Sequence, residues 1–154
     1  MTDREADVAE IARLHTEWME SNNGLDIDRM TPNFADPGYH QFNLNGFTYD
    51  LPEKVRLWEG LHELGSNLEM RKVTEPTVFL DHDLAYLIDE YDIVVKGEAQ
   101  SGTMPPPAPD AVRARMTEVY RRDDGLGNPV WKIWHFHCSL AAGPGTFKYP
   151  QEMR

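Results

Sequence analysis

Apolar residues recur every three or four positions through the first 22 residues, with Val8, Ile11, Ala12, His15, Trp18, Met19 and Asn22 on one face. That spacing predicts a helix over about residues 3–22, opened by a capping-box pair at Thr2 and Glu5 and stopped at Gly24. Residues 25–31 predict a short second helix ended by Pro32. Asp36-Pro37-Gly38 signals a turn. After it, residues 39–44 alternate as a short strand, with His40, Phe42 and Leu44 on one face and Tyr39, Gln41 and Asn43 on the other. Asp50, followed by Pro52 and Glu53, opens a third helix. Its apolar stripe reads as Val55, Trp58, Leu61 and His62, and Gly65 ends it.

Beyond residue 67 the pattern changes to that of long strands. Residues 67–80 predict one strand in which Pro76 marks a bulge or an edge. A tight turn at 81–83 leads into a second strand, 84–96, and two more follow over 111–122 and 130–141. Residues 103–110 hold four prolines and read as a stiff loop, long enough to overhang a site. The Pro/Gly-rich tail reads as irregular. Helices first and meandering strands afterwards make one α+β domain over 1–154. The expected shape is a cone-shaped α+β barrel, a curved antiparallel sheet wrapped around three helices of the N-terminal half. The mouth of such a cone is a natural ligand site.

Charge narrows the partners. The formal net charge of −11 lacks the basic surface that nucleic acid needs and opposes an anionic membrane surface. The single cysteine, Cys138, forms no internal disulfide. The acidic start MTDREADVAE has no apolar run, and no stretch approaches the roughly 18–20 apolar residues of a membrane span. The expectation is a cytoplasmic protein with no membrane and no nucleic-acid partner.

The last two strands are unusual. Residues 131–139, WKIWHFHCS, are too apolar for open water and too polar for plain core, so they read as the wall of a pocket or interface. Together with FADPG (34–38), LDHDLAYL (80–87) and TEVYRRDDG (117–125), they resemble the nuclear transport factor 2-like superfamily, in its SnoaL-like and ketosteroid-isomerase-like branch. The segments 117–125 and 131–139 are similar to the end of the calcium/calmodulin-dependent kinase II association domain, a member of that superfamily. The resemblance implies the cone-shaped fold over nearly the whole chain. It leaves function open, because the scaffold hosts isomerases, cyclases, dehydratases, dehydrochlorinases, other lyases and non-catalytic assembly domains.

No cofactor is expected: there is no P-loop, no dinucleotide fingerprint and no nucleophile motif around Ser139 or Cys138. His135 and His137 share a strand face, but a third ligand at sensible spacing is missing, so they read as a packing or dimerisation pair and no metal is expected. Cys138 reads as a buried packing thiol. What remains is acid–base chemistry in an apolar pocket. The isomerase relatives, by resemblance, place an aromatic on the first helix and a base on the first strand. Trp18 and Phe42 fall near these positions, so a tyrosine hydroxyl and a carboxylate are both missing and a steroid-type isomerase mechanism is not supported.

Other residues are candidates to substitute. His40, on the strand face of Phe42, suits a general base near pH 7. Arg71 lies near the position where dehydrochlorinase relatives carry a catalytic histidine, and would hold an oxyanion. In strand 84–96, Glu90 and Asp92 share a face with Tyr86 and Ile88, while Asp89 shares the other with Leu87 and Tyr91. The resemblance favours Glu90 as the inward carboxylate, with Arg115 to keep it ionised. Trp18, Phe42, Trp58, Tyr86, Trp134 and Phe136 are candidate pocket walls, which suggests an aromatic or polycyclic guest.

The expected function is therefore a cofactor-independent lyase, of elimination, dehydration or deformylation type, or an isomerase. Its substrate would be a small aromatic or polycyclic molecule, and a homodimer or homotrimer is expected. Relatives that deformylate lignin-derived diarylpropanes make that substrate class plausible. The alternative is a non-catalytic ligand-binding or oligomeric assembly domain, with the sheet face of His135 and His137 as its interface.

Overall fold

The computed structural model describes residues 3–96 and 111–141, without the side chains of Val95 and Lys96. The expected cap at Thr2, the proline-rich 103–110 and the tail lie outside these residues. Helix α1 runs Asp3–Asn22 and buries Ile11, Leu14, His15, Trp18 and Met19 against the sheet. Helix α2, Ile27–Met30, is capped by the Asp26 side chain, which accepts from the Arg29 amide. A 3-10 turn over Thr31–Asn33 continues it, so Pro32 does not end the helical path. Proline is tolerated there because a first-turn N–H would have no partner in any case.

Helix α3, Leu51–Glu63, opens on the expected capping box, with Asp50 and Glu53 satisfying each other's amides. Its buried stripe is Leu51, Lys54, Trp58 and Leu61. The expected stripe is thus corrected at two places: Val55 is only partly buried and His62 is exposed. A lysine takes the place an apolar residue was expected to fill.

Among the described residues, seven strands follow one another: β1 His40–Phe42, β2 Thr48–Asp50, β3 Asn67–Lys72, β4 Thr77–Asp81, β5 Leu84–Lys96, β6 Val112–Arg122 and β7 Trp131–Leu140. They form one curved, open sheet in the order β2-β1-β7-β6-β5-β3, with β4 also paired to β5. The strand expected over 67–80 is two strands: β3 pairs with residues 91–96 of β5 and β4 with residues 84–88. Pro76 has no N–H to give a ladder, so the chain leaves the sheet there. The break is held to Glu90, whose carbonyl accepts from the Val73 amide and whose N–H donates to the Thr74 hydroxyl.

The sheet is mixed and not wholly antiparallel, because β1 lies parallel to β7 with His40 opposite His135. The FADPG segment sets this pairing: the Ala35 amide donates to Ile133 O (3.0 Å) and the Asp36 amide to Asp124 O (3.1 Å). Two glycines let it approach. Gly38 has φ +128° and lies under Trp134, where a Cβ would stand 2.5 Å from the ring; Gly125 has φ +99°, and its Cβ would stand 2.1 Å from the Pro37 carbonyl oxygen.

Alternation assigns the faces. Leu87, Asp89 and Tyr91 of β5, Met116, Glu118 and Tyr120 of β6, and Ile133, Phe136 and Cys138 of β7 are buried inside the cone. A register shift between Val119 and Tyr120 keeps Ile133 and Phe136 inside despite their odd spacing. No described helix is long and apolar enough to cross a membrane.

Candidate active site

The cone holds a narrow cavity of about 60 Å³ that opens to solvent at its mouth. Trp18 of α1, Leu57, Trp58 and Leu61 of α3, Leu68 and Met70 of β3, Ile93 of β5, Met116 of β6 and Phe136 of β7 form its apolar wall. Five polar residues join them: Asn22, Gln41, Asn43, Lys54 and Cys138.

Lys54 is the unusual member. It is only 2 % exposed. Its Nζ donates to Gln41 Oε1 at 2.7 Å, and no carboxylate pairs with it among the described residues. Four rings surround the amine, with centroids at 5.0 Å (Trp58), 5.6 Å (Phe34), 5.8 Å (Phe136) and 6.0 Å (Trp18). Burial strips water from the ammonium and pulls its pKa down to about 7, against the upward pull of Cys138 and Glu118. The Tyr39 hydroxyl donates to the same Gln41 oxygen at 2.8 Å. With that oxygen taken twice, the Gln41 amide keeps its two N–H groups to offer. Burial pushes the Cys138 thiol up to about 12, so it stays protonated and unreactive at neutral pH.

Behind Trp18 lies a second buried polar group. His15 Nδ1 stands 3.1 Å from both carboxylate oxygens of Glu118. His15 Nε2 stands 3.1 Å from the Tyr91 hydroxyl and 3.4 Å from Asp89 Oδ2. The Tyr120 hydroxyl donates to Glu118. Neither oxygen of Asp89 accepts a hydrogen bond among the described residues. Burial pushes the Asp89 carboxyl up to about 7, Glu118 adds to the shift, and His15 opposes it. For His15, burial works downward but the field and hydrogen bond of Glu118, with Asp89, outweigh it, so its pKa is raised.

His15, Asp89 and Glu118 are the described group with the composition of a metal site, their ligand atoms lying within 4.8 Å of one another. The two ring nitrogens are turned to different carboxylates, whereas metal bonds of about 2.0–2.2 Å need one ring nitrogen and both carboxylates to point at the same ion. The arrangement is that of an imidazole bridging two acids.

The structure divides the sequence candidates. Trp18, Trp58 and Phe136 line the cavity. Phe42 and Tyr86 do not: they are 49 % and 43 % exposed on the outer sheet face, Tyr86 stacked on Phe79. Trp134 sits at the outer corner, donating to the Asp123 carbonyl under the Arg121 guanidinium. His40 is exposed with its ring 4.8 Å from His135, and Arg71 is exposed beside Glu69. Glu90 and Arg115 do meet, at 3.3 Å, but on the outer face. The favoured register of β5 is therefore corrected by one residue: Asp89, not Glu90, faces inward.

Sequence reasoning missed Lys54, Gln41 and Glu118. Lys54 was legible at the i+3 position of the Leu51, Trp58, Leu61 stripe, and Glu118 from its alternation with Met116 and Tyr120.

No family model and no curated protein sequence matches this chain. Solved structures do. A nuclear transport factor 2-like superfamily protein from Salmonella enterica superposes with a TM-score of 0.71 at 14% identity, covering 92% of this chain and 95% of that one. A candidate dehydratase of the NTF2-like family from Streptomyces avermitilis gives 0.69 at 16% identity, covering 91% and 99%. A candidate calcium/calmodulin-dependent protein kinase II association domain from Xanthomonas campestris gives 0.61 at 20% identity, covering 89% and 88%. The chain has the NTF2-like fold, a cone-shaped α+β architecture shared by proteins of differing roles.

Proposed function

We propose that this protein is a cofactor-independent acid–base enzyme, a lyase of elimination type, acting on a small aromatic or polycyclic molecule bound in the cone. The observation that carries the reading is Lys54, an amine with no counter-ion among the described residues, on the wall of an aromatic cavity. With a pKa of about 7, about half of it is free amine at neutral pH, which suits a general base. Lys54 takes a carbon-bound proton, the electron pair expels a leaving group from the neighbouring atom, and the N–H groups of Gln41 receive developing oxyanion charge. The flat walls of Trp18, Trp58 and Phe136 hold the ring.

A base in an apolar cavity is tested without knowing the substrate. 5-Nitrobenzisoxazole eliminates to a coloured phenolate when one proton is removed. The wild type should turn it over saturably, with kcat/KM rising with pH and levelling above about 7. Lys54→Met should lower kcat/KM by about 10²–10⁴-fold. An unchanged rate in Lys54→Met would overturn the reading.

The outer sheet face supports self-association alongside catalysis. Phe42, Phe79, Tyr86 and Ile88 are all more than 40 % exposed there. We infer that His40, Arg71, Glu90 and Arg115 serve this face, where copies of the chain meet in a homodimer, and not the chemistry. Light scattering on wild type and Tyr86→Glu decides: a dimer that falls to monomer supports it, and an unaltered mass refutes it.

A further inference from the structure

The proposed function uses Lys54 only to accept a proton, yet its surroundings fit a second role. A buried amine is a nucleophile as well as a base once it carries no proton. Of the other lysines whose side chains are described, Lys72 and Lys132 lie outside the cavity wall, and Cys138, a second nucleophile in that wall, is a protonated thiol. Among the described residues, Gln41 Oε1 alone accepts a hydrogen bond from the amine, which is ringed by aromatic faces. Those faces lower the polarity around the nitrogen and give a flat guest a place to lie. The Gln41 amide is itself fixed by Tyr39, so its N–H groups remain for an acceptor such as a carbonyl oxygen.

We propose that Lys54 forms a Schiff base with an aromatic aldehyde or ketone bound in the cone. This deepens the proposed function, because it rests on the same cavity and names a carbonyl as the group the substrate presents. The Nζ lone pair forms an N–C bond while the carbonyl π pair moves to oxygen, which takes a proton. Nitrogen then gives up a proton, and the hydroxyl takes another and leaves as water when C=N forms. In sum, one amine, one carbonyl and one proton give an iminium and one water. Where the carbonyl has an adjacent C–H, the iminium accepts that bond's electron pair while the proton passes to water at the cavity mouth, and becomes an enamine; where a β-hydroxyl is present, the C–C bond breaks instead, the far fragment leaving as an aldehyde and its hydroxyl proton passing to water. Protonation at carbon and addition of water release the product and restore the amine. No oxidant or reductant is consumed.

The chemistry has a quantitative consequence. An amine of pKa about 7 carries about 10³-fold more free base at pH 7 than a lysine at 10.5. Access through the cavity mouth offsets part of this gain.

The test is reductive trapping on the wild-type chain. 4-Hydroxybenzaldehyde is added at pH 7 with sodium cyanoborohydride, which delivers hydride to an iminium carbon and leaves a stable secondary amine. Intact mass and peptide mapping should find one adduct per chain, on Lys54, formed at least about tenfold faster than at any other lysine. Excess 4-hydroxybenzyl alcohol, which has no carbonyl, should slow it by competing for the cavity. Lys54→Arg and Lys54→Met should each lose the fast adduct and keep the slow background. Adducts spread evenly over the lysines, or absent from Lys54, would overturn the proposal. If 5-nitrobenzisoxazole turnover still depends on Lys54 while no adduct forms, the base survives and the Schiff base falls. If neither appears, the proposed function falls with it.

Discussion

His15 Nε2 stands 3.4 Å from Asp89 Oδ2 where neither side chain meets water, the histidine being 6% and the aspartate 0% exposed. Asp89 has its pKa raised from 3.8 to about 7, so the folded chain holds a proton that the unfolded chain releases between those values. Its contribution to stability is complete below about pH 4 and lost as pH rises through about 7. His15, with its pKa raised above 6.5, has the same sign: its contribution is complete below 6.5 and lost above the folded value. Asp89→Asn cannot ionise. It should match wild type at pH 4 and exceed it by about 2–4 kcal/mol at pH 7.5. Urea midpoints from pH 4 to 7.5 measure the difference; groups out of reach of Asp89 cancel, while His15 loses the upward pull of Asp89 in the variant. A gap that stays constant with pH would show that Asp89 does not titrate in this window.

Glu118 differs from Asp89 in its hydrogen-bond partners. It is fully buried and receives both His15 Nδ1 and the Tyr120 hydroxyl. Glu118→Ala leaves a buried imidazole and a buried phenol without their acceptor, which should cost about 3–5 kcal/mol. Glu118→Gln keeps an oxygen for one of them and should cost less. Denaturation of the two variants at pH 6 checks the ranking, and equal losses would mean that shape, not acceptor chemistry, is what Glu118 supplies.

Much of this fold was legible from periodicity, because helices and strands impose their spacing wherever one face is buried. The helix over 3–22, the capping box at Asp50 and strand β5 over 84–96 appear where the pattern places them. Strand β2 and the break at Pro76 were not legible: three-residue strands carry too little pattern, and a proline marks an edge without saying which half pairs where. The site was harder for a different reason. Its key groups are polar residues at apolar positions, and reading a stripe by its apolar members passes over Lys54 and Glu118. In β5, three carboxylates in four residues leave the inward one undecided until register is known, since one residue of slip exchanges Asp89 for Glu90.

The FADPG turn gives a stability prediction that depends on close approach alone. Gly125→Ala adds a Cβ 2.1 Å from the Pro37 carbonyl oxygen at φ +99°, so backbone must move. The expected cost is about 2–4 kcal/mol. Gly127 has a similar φ of +89° but nothing within 4 Å, so Gly127→Ala should cost only about 1 kcal/mol. Guanidinium unfolding of both variants separates the steric part from the conformational part. Equal costs would mean that the 34–38 turn yields without resistance.

Lys54 makes a prediction whose sign distinguishes a functional group from a structural one. Its folded pKa of about 7 lies below the 10.5 of the unfolded chain. The cost of burying the ammonium is therefore complete below about pH 7 and relieved as pH rises toward 10.5. Lys54→Met removes the charge and keeps the apolar stem among Trp18, Trp58 and Phe136, losing one hydrogen bond to Gln41. At pH 6 the variant should be more stable than wild type by about 2–4 kcal/mol, after about 1 kcal/mol is surrendered with that bond. The advantage should shrink as pH approaches 10. Thermal unfolding at pH 6 and pH 9.5, followed by circular dichroism, reads both values. A lysine kept for stability would give the reverse, a variant weaker than wild type at pH 6. A variant that is more stable and no longer turns over 5-nitrobenzisoxazole would show that the chain retains a destabilising amine for what it does in the cavity.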